Sequence, residues 1–324
     1  MKISLIGTGI YGLAIALSLA KNGNEIWMWT ESETLFDEFT KTGKLKSITE
    51  SDIPKNIHLT LSYEEVMNNT KLIFITCASK YVNKVSLKIK PFYKTSIPIC
   101  IATKGLEEST EELLSDVIKR VLLTKNIAVI SGPTFAIDLI NHEPVGLAIG
   151  STNKKTRNIV IKVLASNTLK LRPTKDLLGI QLCGTVKNAI AIAAGILKGL
   201  GYSESTQAFL INESIHDIKD IIYYLGGNKK TILSFAGIGD LTLTCTSTKS
   251  RNFSFGYIIG STKDQAKIKE YLAKTTVEGY YAVEVIYKLL KKKNINIPLI
   301  NVIYDIIYNE ENPEVLANFL IEKE

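Results

Sequence analysis

Residues 2–23 read KISLIGTGIYGLAIALSLAKNG. The apolar run Lys2–Ile6 predicts a strand, and the spacing from Leu13 to Lys21, stopped by Gly23, predicts a helix. Gly7, Gly9 and Gly12 fill the turn between them as G-x-G-x-x-G. In that context the first glycine permits a tight turn, the second lets a pyrophosphate approach the backbone, and the third packs helix on strand. The start of the helix offers free N–H groups and partial positive charge to phosphates, and Ile10 and Tyr11 in the turn are expected cofactor contacts. This strand–turn–helix predicts a dinucleotide-binding domain of Rossmann type.

Such a domain places a carboxylate at the end of its second strand, roughly 20 residues beyond the glycine loop, to hold the ribose hydroxyls. EIWMW (25–29) is the expected strand and Glu31 takes that place. A carboxylate there favours NAD(H) and opposes the 2′-phosphate of NADP(H), which stands as the alternative cofactor. Were the strand one residue shorter, Thr30 would take the position. Lys41 and Lys44 are the nearest basic residues in sequence.

Further strands are expected at 72–76, 97–102, 127–131, 145–149 and 169–172, alternating with helices at 110–123 and 154–166, the signature of a doubly wound parallel sheet. After about residue 175 helical periodicity takes over, so residues 1–175 and 176–324 are expected as an α/β dinucleotide-binding domain and an all-α substrate domain. Helices are expected at 177–197, 207–225, 264–272, 282–292, 299–307 and 314–321.

The first of these, LLGIQLCGTVKNAIAIAAGIL (177–197), holds a single charge, Lys187. A buried ammonium is costly unless it is paired or its pKa falls, and such a lysine can serve as a general acid or base. A snorkelling lysine is the bland alternative. The mid-span charge, Gln181, Asn188 and three glycines argue against a membrane span.

A net charge of +7 rests on dispersed lysines with only four arginines, which does not predict nucleic-acid binding; a positive field would draw in small phosphorylated anions. Four scattered cysteines and three scattered histidines form no metal-ligand pattern and suggest reduced core thiols. With no convincing cleavage site after Lys2 and no integral membrane segment expected, a cytoplasmic location follows.

GTGIYG (7–12), ATKGLE (102–107), SGPTFA (131–136), LCGTVKNAIAIAAGI (182–196), AGIGDLTLTC (236–245), SRNFSFG (250–256) and VEGY (277–280) occur in an order and spacing that resemble the bacterial-type NAD(P)-dependent glycerol-3-phosphate dehydrogenases. The resemblance covers nearly the whole chain. It implies reversible hydride transfer between a nicotinamide cofactor and C2 of dihydroxyacetone phosphate or sn-glycerol 3-phosphate, supplying phospholipid synthesis. It implies proton transfer by Lys187, contact of Lys104 with both substrate and cofactor, and a catalytic Asp240 that orients Lys187 or binds a substrate hydroxyl. Ser250, Arg251 and Asn252 would bind the phosphate side of the substrate, Ser250 also capping the helix that follows and Arg251 also reaching the cofactor. Gly132 and Thr134 match substrate contacts; Ala136, Thr276 and Glu278 match cofactor contacts. A homodimer is a candidate assembly.

Three departures stand out. GYSESTQAF (201–209) keeps only part of a glycine-rich turn, Asn212, Glu213 and Ser214 replace a Thr-Arg-Gly sequence, and Asp138 stands where glutamate is expected. Two other readings compete: a related two-domain dehydrogenase for a hydroxy acid or phosphorylated alcohol, and a catalytically silent NAD(H)-binding redox regulator. The first should lack the Ser250–Asn252 cluster, and the second has no use for Lys187 and Asp240.

Overall fold

The central strands of the first unit are short, mainly apolar runs buried on both faces, as suits a sheet covered on both sides. In the computed structural model, which describes residues 1–262 and 264–323, the chain divides into two units, Met1–Glu107 with Glu112–Leu177, and Leu178–Glu324 with Glu108–Glu111. Glu324, the last residue of the expected second domain, lies outside the described residues.

The first unit runs β1 (Lys2–Ile6), α1 (Ile10–Lys21), β2 (Glu25–Trp29), α2 (Glu33–Thr42), β3 (Ile57–Thr60), α3 (Tyr63–Met67), β4 (Ile73–Ile75), α4 (Val82–Ile89), β5 (Ile99–Ile101), α5 (Leu114–Leu122), β6 (Ile127–Ser131), α6 (Ala136–Ile140), β7 (Val145–Gly150), α7 (Lys154–Leu164) and β8 (Leu169–Thr174). The eight strands lie in the order β3-β2-β1-β4-β5-β6-β7-β8. The order reverses at β1 and β4, and open α/β sheets bind ligands at the carboxyl ends of strands at such a point. Leu13, Ile15, Leu19, Met28 and Phe74 are fully buried in its core.

The sheet departs from a wholly parallel one. β6 and β7 pair antiparallel, Ile130 opposite Ile149, after the five-residue α6. β3, which periodicity did not announce, is only IHLT, and its His58 ring stacks on Trp27 of β2 at 4.8 Å. The helix expected from Thr110 starts at Leu114, because residues 108–111 group with the second unit and Glu111 has φ of 55°.

The second unit is helical among its described residues: α8 (Leu177–Gly199), α9 (Glu204–Tyr224), α10 (Asp240–Thr246), α11 (Arg251–Ser261), α12 (Gln265–Lys274), α13 (Glu278–Lys292), α14 (Pro298–Tyr308) and α15 (Val315–Glu322). Alone among these helices, α8 is long and apolar enough to cross a membrane, yet its apolar window is wholly buried inside the protein. It crosses α11 backbone to backbone. A Cβ on Gly195 would collide with the Phe253 carbonyl, and one on Gly256 with the Ile192 carbonyl. That contact fixes the helix bearing Lys187 against the helix that begins at Arg251.

Candidate active site

In the first unit the glycine loop is built as a cradle. Gly7 has φ of +120°, and a Cβ there would stand 2.6 Å from the Cys77 backbone nitrogen. Only glycine fits both conditions. α1 starts behind Gly9 with no side-chain cap and no acidic residue in its first turn, which leaves a favourable seat for a pyrophosphate. Ile10 is exposed at 48%, and the Tyr11 hydroxyl lies 3.2 Å from Thr134 Oγ1, bringing the loop against the SGPTFA turn. These features fit a dinucleotide cofactor.

Thr30 is buried, its Oγ1 accepting from the Ser32 N–H at 3.1 Å, whereas the Glu31 side chain is exposed. The nearest cation to Glu31 is neither Lys41 nor Lys44. Those pair with Asp37 and Asp52, and Lys84 of α4 donates to Glu31 Oε1 at 2.9 Å. Lys104, half-buried, follows β5, where Thr103 Oγ1 donates to the Cys77 carbonyl at 2.7 Å and ties the two loops together. Gly132 and Thr134 are buried after β6, and Ala136 opens α6. Burial pushes the Cys77 thiol up to about 12.

In the second unit, Lys187 is buried and answered. Its Nζ lies 3.2 Å from Asp240 Oδ1, with side-chain exposures of 6% and 2%. It also donates to Thr244 Oγ1 at 2.6 Å, and the Thr244 hydroxyl donates to the Asp240 carbonyl at 2.6 Å. Asp240 and Thr244 sit one turn apart on α10, so one helix face presents both groups to the lysine. The snorkelling alternative does not describe this side chain. Burial pushes the neighbouring Cys245 thiol up to about 12, with the Lys187 charge acting against the shift and Asp240 adding to it.

Ser250 caps α11, accepting from the Phe253 N–H at 3.3 Å, and Arg251 is exposed at the first helical position. Asn252 is buried in a clamp: its Nδ2 donates to Asn188 Oδ1 at 2.9 Å and its Oδ1 accepts from the Gly279 N–H at 2.8 Å. Asn188 in turn donates to Glu278 Oε2 at 3.4 Å, so α8, α11 and α13 meet at one polar knot. Thr276 is exposed just before α13. Sequence reasoning missed Thr244, Asn188 and Lys84. Only Thr244 carried a signal, its four-residue spacing from Asp240.

The profile of the NAD-dependent glycerol-3-phosphate dehydrogenase N-terminus matches residues 2–157, and that of the C-terminus matches residues 176–318. The chain belongs to this family. A glycerol-3-phosphate dehydrogenase [NAD(P)+] of Thermoanaerobacter sp. (strain X514) is 33% identical over 97% of this chain and 94% of its own length. The enzyme of that name from Clostridium botulinum (strain Eklund 17B / Type B) is 33% identical over 100% and 98%. The crystal structure of glycerol-3-phosphate dehydrogenase from Coxiella burnetii superposes with a TM-score of 0.92 at 28% identity, covering 99% of both chains. D-Mandelate dehydrogenase, at 13% identity and a TM-score of 0.66, shares the fold alone.

Proposed function

We propose that the protein is an NAD(P)-dependent sn-glycerol-3-phosphate dehydrogenase that interconverts dihydroxyacetone phosphate and sn-glycerol 3-phosphate, with NAD(H) preferred and NADP(H) the second cofactor. The observation that carries this reading is the buried Lys187 ammonium held by Asp240 and Thr244. A chain gains little stability from burying such a pair, so its presence in an apolar helix points to chemistry.

The nicotinamide ring, when bound, supplies or accepts the hydride at C2. Gly7, Gly9 and the first turn of α1 at Ile10, Tyr11 and Gly12 would hold its pyrophosphate, Glu31 its adenosine ribose, and Ala136, Thr276 and Glu278 further parts. As negative charge grows on the substrate C2 oxygen, Lys187 stabilises it and delivers a proton; in the reverse direction neutral lysine accepts that proton from the alcohol. Asp240 holds the ammonium in position and balances its charge. Lys104, Gly132, Thr134, Ser250, Arg251 and Asn252 bind substrate, with Lys104 and Arg251 also reaching cofactor. Asn252 does so from the clamp on Asn188 and Gly279, so its contribution includes fixing the start of α13.

The product would serve phospholipid synthesis in the cytoplasm, and a homodimer is the candidate assembly. The test is to mix the purified protein with NADH and dihydroxyacetone phosphate and follow the absorbance of the reduced cofactor. Absence of oxidation at high enzyme concentration overturns the reading.

A further inference from the structure

Lys84 stands 53 positions after Glu31 in sequence, and only the sheet brings them together. β2 and β4 flank β1 on either side, Glu31 following the one and α4 the other. The Lys84–Glu31 pair at 2.9 Å therefore reaches across the carboxyl end of β1, beside the Gly7–Gly12 turn. The two side chains are 53% and 65% exposed. Exposed pairs hold each other weakly, and an ammonium on a four-carbon stem readily changes partner.

The backbone under Glu31 is not free to follow. Trp29 stacks on Tyr63 at 4.3 Å and its Nε1 donates to the Leu61 carbonyl, while Thr30 is turned inward onto the Ser32 N–H. Burial, and then the Glu31 charge, push the Tyr63 phenol up, so that carboxylate is felt at the foot of the same site. A change of cofactor must be met by side chains alone.

We infer that Lys84 is the residue that admits NADP(H): its ammonium leaves Glu31 to bind the 2′-phosphate, and stays on Glu31 when NAD(H) is bound. The inference rests on the proposed placement of the adenosine ribose at Glu31. An unpaired carboxylate would oppose a doubly charged phosphate, whereas the Lys84–Glu31 pair is neutral and carries its own replacement ligand. Lys41 and Lys44 pair with Asp37 and Asp52 instead of Glu31, whereas Lys84 already stands on the carboxylate assigned to the ribose.

The experiment compares wild type, Lys84→Met, Lys84→Arg and Glu31→Gln. It reads kcat/KM for NADH and NADPH, and calorimetric binding of ADP-ribose and 2′-phospho-ADP-ribose. Lys84→Met should lose about tenfold or more with the phosphorylated ligands, the scale of one charge-assisted contact, and under about threefold with the others. Lys84→Arg should keep NADPH use. Equal losses for both cofactors, an unchanged NADPH value, or no NADPH use by wild type overturns the role of Lys84. Glu31→Gln separates the two readings. If it favours the phosphorylated ligands while Lys84→Met is silent, only Lys84 is misassigned; if it changes neither, the ribose is not at Glu31 and both fall.

Discussion

Lys187 Nζ lies 3.2 Å from Asp240 Oδ1, and both side chains are almost wholly shielded from water. Each makes the other tolerable: removing one leaves an uncompensated buried charge. Lys187→Met should cut turnover by a factor on the order of 10² to 10⁴, the usual contribution of a positioned acid–base group, with cofactor affinity largely kept. It should also lower stability by ~3–5 kcal/mol, because the buried Asp240 carboxylate loses its ion-pair partner. Lys187→Met with Asp240→Asn should recover most of that stability and none of the activity. Thermal melts beside single-turnover rates check both halves, and recovery of turnover in the double variant would sink the assignment.

Thr244 is the third member of the group, accepting from Lys187 and donating to the Asp240 carbonyl. Thr244→Val keeps the shape and removes both bonds. Turnover should fall by about one decade, as expected for losing roughly 1–1.5 kcal/mol of positioning, with KM for cofactor unchanged. Thr244→Ser should restore most of it. A valine variant as fast as wild type would show that Thr244 does not orient the lysine.

Lys187 was legible because it is the lone charge in a long apolar stretch, and Asp240 through the resemblance of AGIGDLTLTC (236–245) to the family. The glycine loop was legible because strand, turn and helix are consecutive. Lys84 was not, since a pair formed across two strands leaves no mark in local spacing. Nor was the direction of β7, because alternation and apolarity are the same in parallel and antiparallel strands. β3 is too short, and too polar at His58, to stand out from a loop. Asn252 was read as a substrate ligand, but nothing in SRNFSFG announces that its amide also bonds Asn188 and Gly279.

Arg251 is exposed at the start of α11, where a guanidinium and a helix N-terminus both favour an anion. Arg251→Ala should weaken dihydroxyacetone phosphate by about one to two decades, the loss of one charge-assisted pair. Turnover of unphosphorylated dihydroxyacetone should change little. Nicotinamide affinity measured in the same variant separates phosphate recognition from any contact with cofactor. Equal losses for the two substrates would remove Arg251 from the phosphate site.

All four cysteines are free thiols, and burial pushes Cys77 and Cys245 up to about 12. The thiolate is the reactive form, so a raised pKa leaves little of it at pH 8 at either site. Iodoacetamide should therefore leave the native enzyme unlabelled and fully active at pH 8, and should modify all four thiols after unfolding. Labelling of native Cys77 at the rate of a free cysteine would show that the glycine loop opens to solvent.

The departure at Asn212, Glu213 and Ser214 has a local consequence at the end of the chain. Ser214 is buried and donates back to the Leu210 carbonyl, while Glu213 Oε2 lies 3.3 Å from Lys323 Nζ. The same ammonium donates to both oxygens of Asp217 at 2.9 and 2.8 Å, latching the end of α15 onto α9. Burial raises the Asp217 pKa, and Lys323 opposes that shift. A carboxyl raised in the folded state binds protons more readily there than when unfolded, so its own contribution falls as pH rises through that window. Lys323 offsets this loss only while the carboxylate is ionised. Lys323→Ala should therefore cost ~1–3 kcal/mol at neutral pH, typical of a charged hydrogen bond, and progressively less as acid protonates Asp217. Asp217→Asn in the same background should remove most of the pH dependence. Denaturant melts across the acid range check this, and a penalty that does not shrink on acidification would show that packing of the lysine stem, not its charge, holds the latch.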